Sequence, residues 1–170
     1  MKTIIKRIIF GTLLVLTFAL IFGFSAANGE ESGSLSQKVV ETIADIIHIS
    51  SSEKMHFVNT AVPYVRKLAH FSIYAFAGIW EFLFLNTFNI KDEKKIVIGT
   101  IIGLLYAISD EIHQGFSPGR SPKIIDVIID AEGNLLGLLG VLLIIMLIKR
   151  KKEKVKEKIL SKNNSIMGKF

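Results

Sequence analysis

An all-α integral membrane bundle of four transmembrane helices is the fold this chain predicts, with short amphipathic extracytoplasmic helices between the first and second spans. Three observations carry that expectation. Half of the 170 residues are hydrophobic and mean hydropathy is +0.47, too apolar for a soluble domain of this length. The apolar residues gather into four runs of about membrane length, since roughly 20 residues cross a 30 Å hydrocarbon core. The few ionisable residues inside those runs recur at matching depth, as they must if they face one another rather than lipid.

The first run, Ile8–Phe24, follows Lys2, Lys6 and Arg7. Ser25-Ala26-Ala27 after it resembles a signal-peptide cleavage site, but the run is longer than a usual signal core, so a retained helix is expected. In the outer segment, 25–66, Val39, Ile43, Ile46 and Ile47 recur at helical spacing, with Ser34 or Ser36 as cap. Ser50 and Glu53 have the spacing of a second capping box, ahead of Met55–Val58. Both helices are expected on the outer membrane face or over the bundle. Pro63 suits the first turn of the second span, about Ala69–Ile90, with Arg66 and Lys67 in its opening turns. The third run, Ile96–Ile112, is short, which draws its polar end toward the membrane. The fourth is Ile124–Ile148. One membrane domain thus occupies 1–148, and residues 149–170 form a basic tail. Lys149–Lys158 alone holds seven of the 21 Lys and Arg residues, the pattern of a solvated flank; no nucleic-acid-binding fold accompanies it, so no nucleic-acid partner is expected.

Charge asymmetry orients the spans. With both termini cytoplasmic, fifteen Lys and Arg lie inside: Lys2, Lys6, Arg7, Lys91, Lys94, Lys95 and nine from Lys149 onward. Six lie outside: Lys38, Lys54, Arg66, Lys67, Arg120 and Lys123. Basic residues favour the cytoplasmic side, so a multi-pass protein of a bacterial plasma membrane is expected, with residues 25–66 and 113–123 facing outward.

Depth then singles out a site. A helix rises about 1.5 Å per residue. With Ile90, Ile96 and Ile148 as inner edges, His70 stands about 30 Å up the second helix and Tyr74 about 24 Å. Asp110 stands about 21 Å up the third, Asp130 about 27 Å and Asp126 about 33 Å up the fourth. Facing agrees: Arg66, His70, Tyr74, Ala77 and Glu81 share one stripe, and Gly99, Gly103, Tyr106, Asp110 and Gln114 another. Asp126, Asp130, Gly133, Gly137 and Gly140 form a third. Small residues at this spacing let helices approach closely in lipid, so the glycines read as packing residues and the acids beside them point into the bundle. A polar pocket near the outer surface is the expected result. Glu81 falls near mid-membrane and calls for a buried donor or a proton. His48 and His56 read as surface residues. Cysteine is absent, which excludes disulfides and every thiolate or cysteine–metal chemistry.

Four ordered motifs carry a family resemblance. Arg66-Lys67-x-Ala69-His70-Phe71-x-x-Tyr74 and Ser109-Asp110-Glu111-x-His113-Gln114-x-Phe116-x-Pro118-Gly119-Arg120-Ser121 resemble the second-helix and central motifs of VanZ-like membrane proteins. Asp126-Val127-x-Ile129-Asp130, with Gly133 and Leu136-Gly137, is similar to the family's last helix. Phe24-Ser25 with Ser32, Ser34 and Ser36 is similar to its serine-rich patch. The matches run from about Phe24 to Gly137. Glu132 and Asn134 depart from the pattern and put a further acid near the fourth-helix stripe. The resemblance implies a cell-envelope role; the family's namesake is associated with low-level teicoplanin resistance, and the family has no settled biochemical activity.

Three readings stay open. In the first, the pocket binds an anionic headgroup of a membrane lipid or a lipid-linked cell-wall precursor. Its ligand-binding residues are then Arg66, Lys67, His70, Tyr74, Asp110, Glu111, His113, Gln114, Arg120, Ser121, Asp126 and Asp130, with the arginines able to grip phosphate through two donors. In the second, a membrane hydrolase or transferase uses His70, Asp110, Glu111 and His113 as catalytic acids and bases, or the same donors hold a divalent metal. No protease, lipid-phosphatase or serine-hydrolase signature accompanies them. In the third, the polar groups only pair with one another to lock the helices.

Overall fold

Long apolar runs bounded by polar turns leave the backbone one way to satisfy itself in lipid, which is helix. The computed structural model describes residues 1–26 and 29–167, with side chains described for 1–26 and 33–160. Among them there are five helices: α1 (Lys2–Ala26), α2 (Gly29–Ile46), α3 (Ser51–Leu85), α4 (Asp92–Gln114) and α5 (Ile124–Met167). Four of these, all but α2, are long and apolar enough to cross a membrane. Their outer faces carry the large exposed side chains, such as Ile8, Leu16, Leu105 and Leu143, that lipid would cover.

The spans begin and end differently from the sequence expectation. α3 starts at Ser51 and runs unbroken into the second span, so only one short helix, α2, stands apart between the first two spans. The Ser50 capping box does not form: the Ser50 side chain bonds Ser52 at 2.9 Å, and no side chain caps the helix. Pro63 lies inside α3 rather than at a first turn, which deprives the Asn59 carbonyl of its helical donor. α2 begins at Gly29, ahead of both serines proposed as its cap, and buries Val40 and Ala44 where it packs on α3. The basic tail continues α5 as helix to Met167. Ser32 and the tail beyond residue 160 lie outside the described side chains.

α3 and α5 form the closest pair. A Cβ on Gly78 would sit 2.1 Å from the Asn134 carbonyl oxygen, and one on Gly137 would sit 2.0 Å from that of Ala75. Gly133 meets the Phe71 carbonyl in the same way, at 2.3 Å. Only glycine lets backbones approach this closely. A Cβ on Gly140 would meet nothing within 4 Å, so that glycine is not required by the packing. α4 closes the other side, where Gly103 makes room for the buried Asn134 side chain. That asparagine donates to Glu81 Oε2 at 2.9 Å and supplies the donor the acid needs. Glu132 is exposed, so it adds no acid to the interior.

α1 is clamped at both ends. At one end Arg7 donates to the Thr87 hydroxyl at 3.2 Å and the Thr87 carbonyl at 3.1 Å, and lies 3.9 Å over the Phe88 ring. Midway, the Tyr106 hydroxyl donates to the Phe18 carbonyl at 2.6 Å, with the two rings stacked. At the other end the Ser25 hydroxyl, fully buried, donates to the Asp110 carbonyl at 3.3 Å. Arg7, the α3–α4 turn and Lys149, which lies near Asp92, share one end of the bundle.

Candidate functional site

At the opposite end, α3 and α5 with the 115–123 loop enclose a cavity of about 320 Å³, with Arg66, Lys67, Arg120 and Lys123 among its walls. The helical step of four residues puts Arg66 and His70 on one face of α3, and Asp126 and Asp130 on one face of α5. The glycine contacts below hold those faces together.

Four cationic residues thus line the cavity, against the carboxylates of Asp126 and Asp130. Lys67 is committed to Asp126 at 2.8 Å. Arg120 is held through one nitrogen, Nη1, which donates to the Ser25 carbonyl at 3.2 Å; Ser117 reaches the same oxygen at 3.3 Å. Its Nε and Nη2 are buried and meet no acceptor among the described residues. Burial, and Arg66 close by, push the Arg120 guanidinium below its ordinary pKa, yet an arginine stays charged. A buried arginine with unused donors and a second arginine near it have the chemistry that suits an anion.

Beneath lies an acidic floor. His70 Nδ1 stands 3.7 Å from Asp130 Oδ2, an ion-pair separation too long for a hydrogen bond. One donor atom each from His70, Asp110 and Asp130 lies within 4.8 Å of the others, joining α3, α4 and α5. Asp110 and Asp130 are 3% and 2% exposed, so water cannot balance their charge. Gln114 donates to Asp110 Oδ2 at 3.0 Å. Asp110 Oδ1, Asp130 Oδ1 and the Tyr74 hydroxyl meet no hydrogen-bond partner among the described residues. Tyr74 is wholly buried beside both acids.

The sequence-derived site residues therefore divide. Arg66, Lys67, His70, Gln114, Arg120, Ser121, Asp126 and Asp130 line the cavity, and Asp110 and Tyr74 lie beneath it. Glu111 caps the loop instead: its Oε1 accepts the Lys123 backbone N–H at 2.5 Å. His113 turns toward α1 and stacks on Phe22 at 4.3 Å, away from the cavity lining. Sequence reasoning missed Ser25 as the latch for Arg120, because the contact runs through its backbone carbonyl, which no side-chain signal announces.

A second, apolar groove of about 210 Å³ adjoins the cavity and shares Arg66 and His70 with it; Ile21, Phe24, Leu35, Val39 and Ile73 are among its other walls.

The family model described as VanZ/LLP1 matches residues 10–148, most of the chain. Comparison with curated proteins and with solved structures finds no significant match.

Proposed function

The chain belongs to the VanZ/LLP1 family of membrane proteins, and we infer that its cavity is a receptor for the anionic headgroup of a membrane lipid or a lipid-linked cell-wall precursor. The observation that carries this reading is Arg120: two of its nitrogens are buried and unused, and a second arginine stands close by. A phosphate would supply acceptors for both and offset the like-charge repulsion. The unused donors also speak against a purely structural cluster, because groups that lock helices together are paired. The positive-inside bias of the chain supports an outward-facing cavity in a bacterial plasma membrane, with both termini cytoplasmic, where a lipid-linked precursor would meet it. Lowered teicoplanin susceptibility is the cellular effect this reading accommodates, through capture of an envelope lipid.

Native mass spectrometry of the purified protein tests it. A specific anionic lipid should be retained by the wild type and by Lys123→Ala. Arg120→Ala should lose it by tenfold or more, since the arginine supplies buried donors and Lys123 an exposed charge. Equal retention by wild type and Arg120→Ala would overturn the reading.

A further inference from the structure

We propose that the floor of the cavity is a divalent transition-metal site, formed by His70 of α3, Asp110 of α4 and Asp130 of α5. Three features meet there. The donor atoms converge from three separate helices to within 4.8 Å of one another. Atoms bound to one Zn²⁺ at about 2.1 Å in a tetrahedral site stand about 3.4 Å apart, so the three side chains complete the set by closing inward by about an ångström. Both carboxylates are almost wholly buried, and each has an oxygen without a donor.

The third feature lies outside the acids. The Tyr74 hydroxyl is fully buried, lacks a hydrogen-bond partner and stands beside Asp110 and Asp130. A phenol so placed ordinarily donates to a carboxylate. Its hydroxyl is a further oxygen beside Asp110 that a cation's bound water could engage.

Charge balance points the same way. Lys67 is spent on Asp126, and Arg120 is held toward the Ser25 carbonyl. Arg120 acts on Asp110 only from a distance, and among the described residues the one ion-pair contact of the floor is the His70 imidazole, 3.7 Å from Asp130. A dication matches two carboxylates, and removal of that mismatch is what makes buried acids tolerable at membrane depth. One imidazole with two carboxylates suits zinc, or manganese as the harder alternative, and is poorly suited to copper(I) or an iron–sulfur cluster. Three protein ligands leave a coordination position open toward the cavity, as in zinc sites that also hold water or a substrate oxygen.

The proposal stands apart from the headgroup reading, because the metal is measured with no lipid added. Full-length protein freed of its affinity tag, stripped with EDTA in detergent, is titrated with Zn²⁺ alone by calorimetry, with the bound metal counted by mass spectrometry. One Zn²⁺ per chain is expected. His70→Gln and Asp130→Asn should each weaken it at least tenfold, and His56→Ala, on the exposed part of α3, should leave it unchanged. Mn²⁺ in the wild type should show magnetic coupling to a single imidazole nitrogen by pulsed electron paramagnetic resonance, a readout that needs no variant to fold. Absence of stoichiometric Zn²⁺ from the wild type, no nitrogen coupling, or unchanged affinity in folded His70→Gln and Asp130→Asn would each overturn it.

Discussion

The two ends of the bundle are both polar, but one is satisfied and the other is not. At the end holding the α3–α4 turn, Lys95 is 5% exposed and gives hydrogen bonds to Asn86 Oδ1 at 2.7 Å and Asp92 Oδ1 at 2.6 Å. Arg7 is bonded twice to Thr87. At the cavity end, Arg120, Asp110, Asp130, Glu111 and Tyr74 each keep a buried polar atom without a partner. An unsatisfied buried group costs about 1–3 kcal/mol, so a fold retains several in one place only where something outside the chain completes them. The satisfied end has the character of a structural clasp, and the unsatisfied end is the one we propose as a binding site.

Substitutions at the two ends should therefore separate stability from binding. Asp130→Asn makes the largest difference: at least tenfold weaker Zn²⁺ binding, with a thermal midpoint equal to or above that of the wild type, because a neutral amide relieves a buried charge. A marked loss of stability would break the comparison. Next comes Lys95→Met, which strips two acceptors of a charged donor. It should destabilise by about 2–3 kcal/mol in reversible unfolding while leaving metal and lipid binding intact. Arg7→Ala should cost about 1–2 kcal/mol, since Arg7 is only half-buried where Lys95 is buried. Its effect is visible in the fluorescence of the single tryptophan, Trp80, whose ring stacks with Phe10 of α1 at 6.5 Å. An Arg7→Ala protein that lost lipid but kept its stability would reverse the roles of the two ends.

Much of this was legible in the chain because hydropathy and helical period are local quantities. The spans, the α3–α5 glycine contacts at Gly133 and Gly137, and the convergence of His70, Asp110 and Asp130 all follow from counting residues along helices. What failed depended on tertiary competition. A helix does start after Ser50, though without the side-chain cap, whereas Pro63 carries the signal of a second start and α3 runs through it. His113 and Gln114 flank the face of Asp110 by one helical position each way, and only the packing of Phe22 shows which of them leaves the site. Ser25 was unreadable as a latch because its partners lie 85 and 95 residues away.

The backbone contacts between α3 and α5 have a mechanical consequence. The helices bearing His70 and Asp130 touch at Gly78, Gly133 and Gly137, with no side-chain layer between them to slide or compress. They move as one rigid chassis. Any molecule that enters or leaves must do so without those walls parting, past the 115–123 hairpin or sideways through the seam beside Arg66. Access to the cavity we propose as a binding site would therefore be set by the 115–123 loop and by α1 and α2 rather than by separation of α3 from α5.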